Sequence, residues 1–139
     1  MAGHEVALGF EFLIGLLTDS TLQGYAPGGV RRAYAPPETT PPYVIVGYQA
    51  GHDVTTMNAF RMMSAMLYQV KVVGPSSGTS VLAQAAERID QLIDQQKGTV
   101  AGGYTLACWR QSPLEVDELV SGELWTNLGG LYQVYLEQT

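Results

Sequence analysis

The chain contains a single cysteine, Cys108, so no disulfide can form within it and a zinc site built on several thiolates is excluded. Stabilising disulfides belong to oxidising compartments, and their absence points to an intracellular setting. Leu106, Ala107 and Trp109 around that cysteine read as an apolar strand, where a free Cys behaves as a small buried hydrophobe. Charge is scarce as well, at 14% of residues against roughly 25% in typical soluble domains. A surface with few Lys and Glu side chains has little to hold copies apart, and the centres of protein contacts are themselves depleted in charge. Basic residues are fewer than acidic ones, 7 Lys and Arg against 13 Asp and Glu, and the formal net charge is −6. Arg31-Arg32 is the only adjacent basic pair, while Arg61, Lys71, Arg88, Lys97 and Arg110 stand singly. Gripping DNA or RNA requires clustered Lys and Arg to displace condensed counterions, so a nucleic-acid binder is excluded, though DNA that merely slides past is not.

Groups for catalysis are equally thin. His4 and His52 are the only histidines, and the first lies in a terminal segment expected to fray. There is no Gly-rich phosphate loop ending in Lys-Ser/Thr and no His-Glu-x-x-His helix. The turn Gly74-Pro75-Ser76-Ser77-Gly78 lacks the spacing of a serine-nucleophile elbow, and a turn leading into a helix explains it better. No catalytic residue, metal ligand or cofactor is therefore assigned. A hydrolase or ligand-binding domain would have to rest on His52, Asp53 and a serine of the Ser76-Ser77 turn. The chain also lacks a long hydrophobic run. The apolar opening from Val6 to Leu17 is interrupted by Glu11, has no basic residue before it, and ends at Thr18-Asp19-Ser20, short of the roughly 20 residues a membrane span needs.

What is present fits one domain over residues 1–139, since a chain of this length buries roughly two thirds of its unfolded surface around one core. Val6, Phe10, Leu13, Ile14 and Leu17 recur at helical spacing, widened by Leu8, Phe12 and Leu16, which predicts an N-terminal helix with apolar surface left for a second subunit. Asp19, Ser20 and Gly24 break it. A Pro- and Gly-rich stretch to Pro42 follows, with Val30–Tyr34 as a short strand. Tyr43–Tyr48 and the alternating run Ala65–Val73 predict neighbouring strands, with Met66, Tyr68, Val70 and Val72 sharing one face. The intervening segment from Gly51 to Ser64 reads as a long loop, commonly functional at that length. Leu82, Ala85, Ile89, Leu92 and Ile93 predict the most secure helix, capped by Ser77, Thr79 or Ser80, stopped at Lys97-Gly98, and with Arg88 among its solvent-facing residues. Tyr104–Arg110 and Leu131–Leu136 read as strands, and Ser112–Val120 as a polar strand or loop. The element order predicts an α+β fold, an antiparallel or mixed sheet with two main helices packed on it, with no internal repeat.

Two clusters invite a binding role. Met57, Met62, Met63 and Met66 crowd around Phe60 and Arg61, and flexible thioethers suit either a core plug or an adaptable contact surface. Phe10, Leu16, Met57, Phe60, Arg61, Met62 and Met63 are accordingly the candidate interface residues. Glu115, Asp117 and Glu118, with Glu123 nearby, form a loose acidic group whose spacing suits a solvated surface better than a metal site.

Taken in order, several segments resemble the tail terminator, or tail completion, proteins of long-tailed bacteriophages. They are the helix ending in Leu16-Leu17-Thr18-Asp19-Ser20, the Pro-rich stretch before Pro42-Tyr43-Val44-Ile45-Val46-Gly47, and His52-Asp53-Val54-Thr55-Thr56. They continue with Leu67–Val73 and the helix Val81–Asp94 carrying Arg88-Ile89. The resemblance covers residues 5 to 95, and departs where related chains often place a Trp and this one has Val72-Val73-Gly74. It implies a homo-oligomeric ring, commonly of six copies, that caps the tail tube, ends its polymerisation and meets the connector of the head. Its partners would be further copies of the chain, the tail tube protein and a head-completion protein. The ring would sit at the head-proximal end of the tail in the virion, after assembly in the host cytoplasm, with DNA passing through unbound. An acidic lumen carrying Glu115, Asp117 and Glu118 would leave phosphate ungripped. A head-completion or stopper protein of the same junction is the alternative.

Overall fold

A computed structural model describes residues 4–55, 61–100 and 104–137, without side-chain detail at positions 55, 61, 62 and 104. Helix α1 (Glu5–Leu16) and a short α2 (Ser20–Tyr25) lead into β1 (Val30–Arg32), β2 (Tyr43–Thr55) and β3 (Arg61–Pro75). A 3-10 turn (Ser76–Gly78) opens α3 (Thr79–Ile93), and β4 (Gln96–Val100), β5 (Tyr104–Val120) and β6 (Glu123–Glu137) complete the chain. The strands form one sheet in the order β1-β2-β3-β6-β5-β4. Among the described residues only the β1–β2 pair is parallel, so the sheet is mixed and the fold is α+β with the helices on one face.

The strand pattern decides that face. Val44 and Val46 on β2, Met66, Tyr68, Val70 and Val72 on β3, Tyr132, Val134 and Leu136 on β6, and Leu106 and Cys108 on β5 all point into one core. Phe10, Leu13 and Leu17 reach it from the α1 side, and Leu82, Ala85, Ile89 and Ile93 from α3. Each fully buried Leu or Ile contributes about 1.5–3 kcal/mol by leaving water, so this face holds the fold together. Cys108 is fully buried here, and burial, with Asp94 and Asp90 adding to it, pushes its thiol up to about 12.

Helix α1 lies unusually close to the sheet because position 9 is glycine. A Cβ there would stand 2.1 Å from the Tyr68 hydroxyl oxygen, and that hydroxyl donates to the Val6 carbonyl at 2.7 Å. The Tyr68 ring is held edge-on by Phe10 and Tyr48, at 5.1 and 5.4 Å between centroids.

Several expectations are corrected. Asp19 does not simply break α1: its carboxylate accepts the Leu22 N–H at 3.0 Å and caps α2, which pattern reading missed. Arg88, expected to face water, donates from Nε and Nη2 to the two Asp19 oxygens at 2.9 Å each, clamping α3 to the start of α2. This guanidinium, followed by the Leu22 amide, holds Asp19 down from 3.8 to about 2. Helix α3 has Gly78 at its N-cap with no side-chain cap, and it stops at Asp94, short of Lys97-Gly98. Gln95 takes a positive φ of 61° and the chain turns at once into β4. The segment 51–64 is mostly strand: β2 runs to Thr55 and β3 starts at Arg61. Ser112–Val120 is strand throughout.

Candidate protein interaction surface

Strands β5 and β6 form one long hairpin whose far end leaves the rest of the sheet. β4 covers β5 only from Tyr104 to Cys108, and β3 accompanies β6 only as far as Trp125. From Trp109 to Val120, β5 has β6 as its only strand neighbour among the described residues. Its connection is two residues long, with φ 51° at Ser121 and 82° at Gly122, as expected for the tight turn whose twist matches a hairpin. A bulge between Arg110 and Ser112 resets the pairing before the ribbon leaves the sheet. Asp94 accepts the Arg110 backbone N–H at 2.7 Å, tying the base of the ribbon to the end of α3.

The end of this ribbon is apolar in an unusual place. Leu119 is 73% exposed, Leu124 49%, Val116 48% and Val120 41%. The register sets Leu119 opposite Leu124 and Val120 opposite Glu123, so both sides of the tip mix aliphatic side chains with carboxylates. Asp117 accepts the Thr126 hydroxyl at 2.8 Å, and Glu118 accepts the Asn127 side-chain amide at 3.1 Å, so two of the carboxylates are oriented by cross-strand partners. Sequence reading found the acidic residues here but not their aliphatic neighbours. The usable signal was Ser121-Gly122 between Leu119-Val120 and Leu124-Trp125, a tight-turn dipeptide flanked by strand formers.

The other candidates separate. Phe10, expected at a subunit interface, belongs to the core: it is 5% exposed, packed on Tyr68, with the Arg32 guanidinium 4.1 Å above its ring. Periodicity placed it on the apolar face, and the sheet covers that face. Leu16 is half-buried against the core, and Met66 is inside it. Met63 is half-buried on β3 between Val54 and Glu137. Met57 and Phe60 lie outside the described residues, as do the side chains of Arg61 and Met62. Glu115, Asp117 and Glu118 are exposed on β5, on the ribbon described above.

A hydrolytic constellation of His52, Asp53 and the Ser76-Ser77 turn is not assembled. His52 and Asp53 sit on β2 opposite Ala65 and Ser64, and Asp53 accepts the Ser64 hydroxyl at 2.8 Å beside an open cleft of about 310 Å³. Ser76 follows the opposite end of β3, and a strand rise of about 3.3 Å per residue puts some ~35–40 Å between the two. Among the described residues no group of three or more His, Cys, Asp or Glu could hold a metal ion. None of the described helices is long and apolar enough to cross a membrane.

No protein-family profile matches the chain, and no curated protein is similar to it. The fold is shared with a solved structure at a TM-score of 0.59 and 15% identity, over 99% of this chain and 98% of that one. The name of that protein describes no activity, and at this identity the likeness speaks for the fold alone.

Proposed function

We propose that the protein is a structural component of a long-tailed phage particle, a tail terminator whose copies close into a ring on the end of the tail tube. The observation that carries this reading is the β5–β6 ribbon, which holds Leu119, Val120 and Leu124 out in solvent beyond the end of β3, with Val116 exposed nearby on β5. Uncovered aliphatic clusters on a projecting element are costly in water and gain by being buried in a protein contact. The low charge density and the ordered resemblance to tail completion proteins support the same reading. A ring of this kind needs a contact that closes on itself, plus one face for the tube and one for the connector of the head, and it needs no reacting group. DNA passes through it ungripped, in keeping with the net charge of −6.

Electron microscopy of the purified protein and of assembled tails tests this. Closed rings in solution, and the labelled chain at the head-proximal end of the tail, are the expected results. Density for the chain only on the head side of the connector would make it a stopper protein, and a position elsewhere in the particle would end the proposal.

A further inference from the structure

The geometry points to a specific head-to-tail contact: the tip of the β5–β6 ribbon of one copy docks against the β1 edge of the next copy. This rests on the ring reading above and names the surfaces that close the ring.

Charge chooses the partner. From Gln111 to Trp125 the chain carries Glu115, Asp117, Glu118 and Glu123 and no Lys or Arg. From Ser20 to Pro37 it carries Arg31 and Arg32 and no Asp or Glu. In the strand order β1-β2-β3-β6-β5-β4, these two regions lie toward opposite edges of one sheet. Two ribbon tips brought together would set carboxylates against carboxylates, and two β1 edges would set guanidinium against guanidinium. Only tip against edge is attractive, so a second copy fits head to tail and a face-to-face dimer is disfavoured.

Shape agrees with charge. The β1 edge ends at Ala33, which takes a left-handed φ of 70°, and the next residue, Tyr34, stands 72% exposed. An uncovered aromatic ring therefore lies beside the arginine pair, as Leu119 and Leu124 lie beside the carboxylates. The Arg32 guanidinium is held over the Phe10 ring, and Arg31 Nε donates to the Gly28 carbonyl at 3.3 Å, so both cations are partly positioned before contact. Backbone pairing is not the means of attachment. Pro113 lies on the open edge of β5 and has no N–H to donate, and β1 is only three residues long. Side chains must carry the contact, which makes it readable by substitution.

The test uses two variants of the full chain. The tip variant carries Leu119→Ser and Leu124→Ser, and the edge variant carries Arg31→Glu and Arg32→Glu; molar mass is measured by light scattering during gel filtration. The wild type is expected as a closed multimer, each variant alone as a 15.0 kDa monomer, and an equimolar mixture as a one-to-one dimer that grows no further. The dimer forms because each variant keeps the surface that the other lacks. Circular dichroism and thermal melting establish that both variants fold. Arg31→Glu alone repeats the edge test without disturbing Arg32 on Phe10.

A wild type that multimerises while both folded variants do so equally overturns this contact and leaves the ring reading intact. Variants that form wild-type multimers yet no longer bind tail tubes would assign the tip to the tube, again overturning the contact. Monomeric variants whose mixture yields no dimer would show that tip and edge do not meet. A wild type that remains monomeric in solution and in tails overturns the ring reading itself.

Discussion

Replacing Gly9 by Ala is the sharpest test of how α1 is seated. In an exposed helix this substitution stabilises by roughly 0.5–1 kcal/mol, because glycine gives up more backbone freedom on folding. Here the new methyl carbon would stand 2.1, 2.6 and 2.9 Å from Oη, Cζ and Cε2 of Tyr68, where carbon contacts need more than 3 Å. The ring cannot swing away, being fully buried, flanked by Phe10 and Tyr48, and bonded to the Val6 carbonyl. Either α1 lifts off the sheet or the Tyr68 hydroxyl loses its acceptor. Overpacking of this kind costs about 1–3 kcal/mol, and a broken buried hydrogen bond about 1 more. Against the helical gain, the expected net loss is about 1–3 kcal/mol. For a chain of this length that lowers Tm by roughly 3–10 °C. Gly15→Ala is the internal control, since a Cβ at position 15 meets nothing within 4 Å; it should hold or raise Tm. Adding Tyr68→Phe to Gly9→Ala removes the nearest atom, so the pair should be less damaging than the sum of the singles by about 0.5 kcal/mol or more. Chemical denaturation of the wild type, the three single variants and the double variant decides. A Gly9→Ala protein as stable as Gly15→Ala would mean that α1 does not sit against Tyr68 as described.

Three further outcomes are expected. With Asp19 held at about 2 in the fold against 3.8 ordinarily, its contribution is complete above pH 4 and disappears as pH falls toward 2; Asp19→Asn should therefore flatten this part of a stability-versus-pH curve, and an unchanged acid limb would refute the clamp. Leu82→Ala opens a cavity under α3 and should cost about 2–5 kcal/mol by urea denaturation, whereas Val81→Ala on the exposed side should cost far less. Gly122→Val places a β-branched residue at φ 82° and should destabilise the hairpin by about 1–2 kcal/mol or more, while Ser121→Asn should be neutral or stabilising; amide exchange near the turn reads both.

Much of the core was legible because it follows local periodicity. The face Met66, Tyr68, Val70 and Val72, the apolar stripe of α3 and the buried Cys108 all lie where alternation and helical spacing put them. What escaped depended on partners far away in sequence. Helix α2 has six residues, too few for a periodic signal, and the capping carboxylate is fixed by an arginine from α3. The far half of β2 carries Gly51, His52 and Asp53 and reads as loop; a bulge between Tyr48 and Ala50 shifts its phase, and β3 supplies the pairing that makes it strand. The interaction surface was half visible. Its carboxylates stood out as charge, but the exposure of Leu119 and Leu124 follows from where β3 and β4 end, a property of the whole sheet.

The state of Cys108 has a practical corollary. Sealed in the core, with deprotonation pushed up to about 12, it is inert toward maleimides and iodoacetamides at neutral pH. The natural molecule is thus a silent background for sulfhydryl chemistry, and one cysteine engineered onto the ribbon would carry a spin label or dye alone, with no need to delete the native thiol.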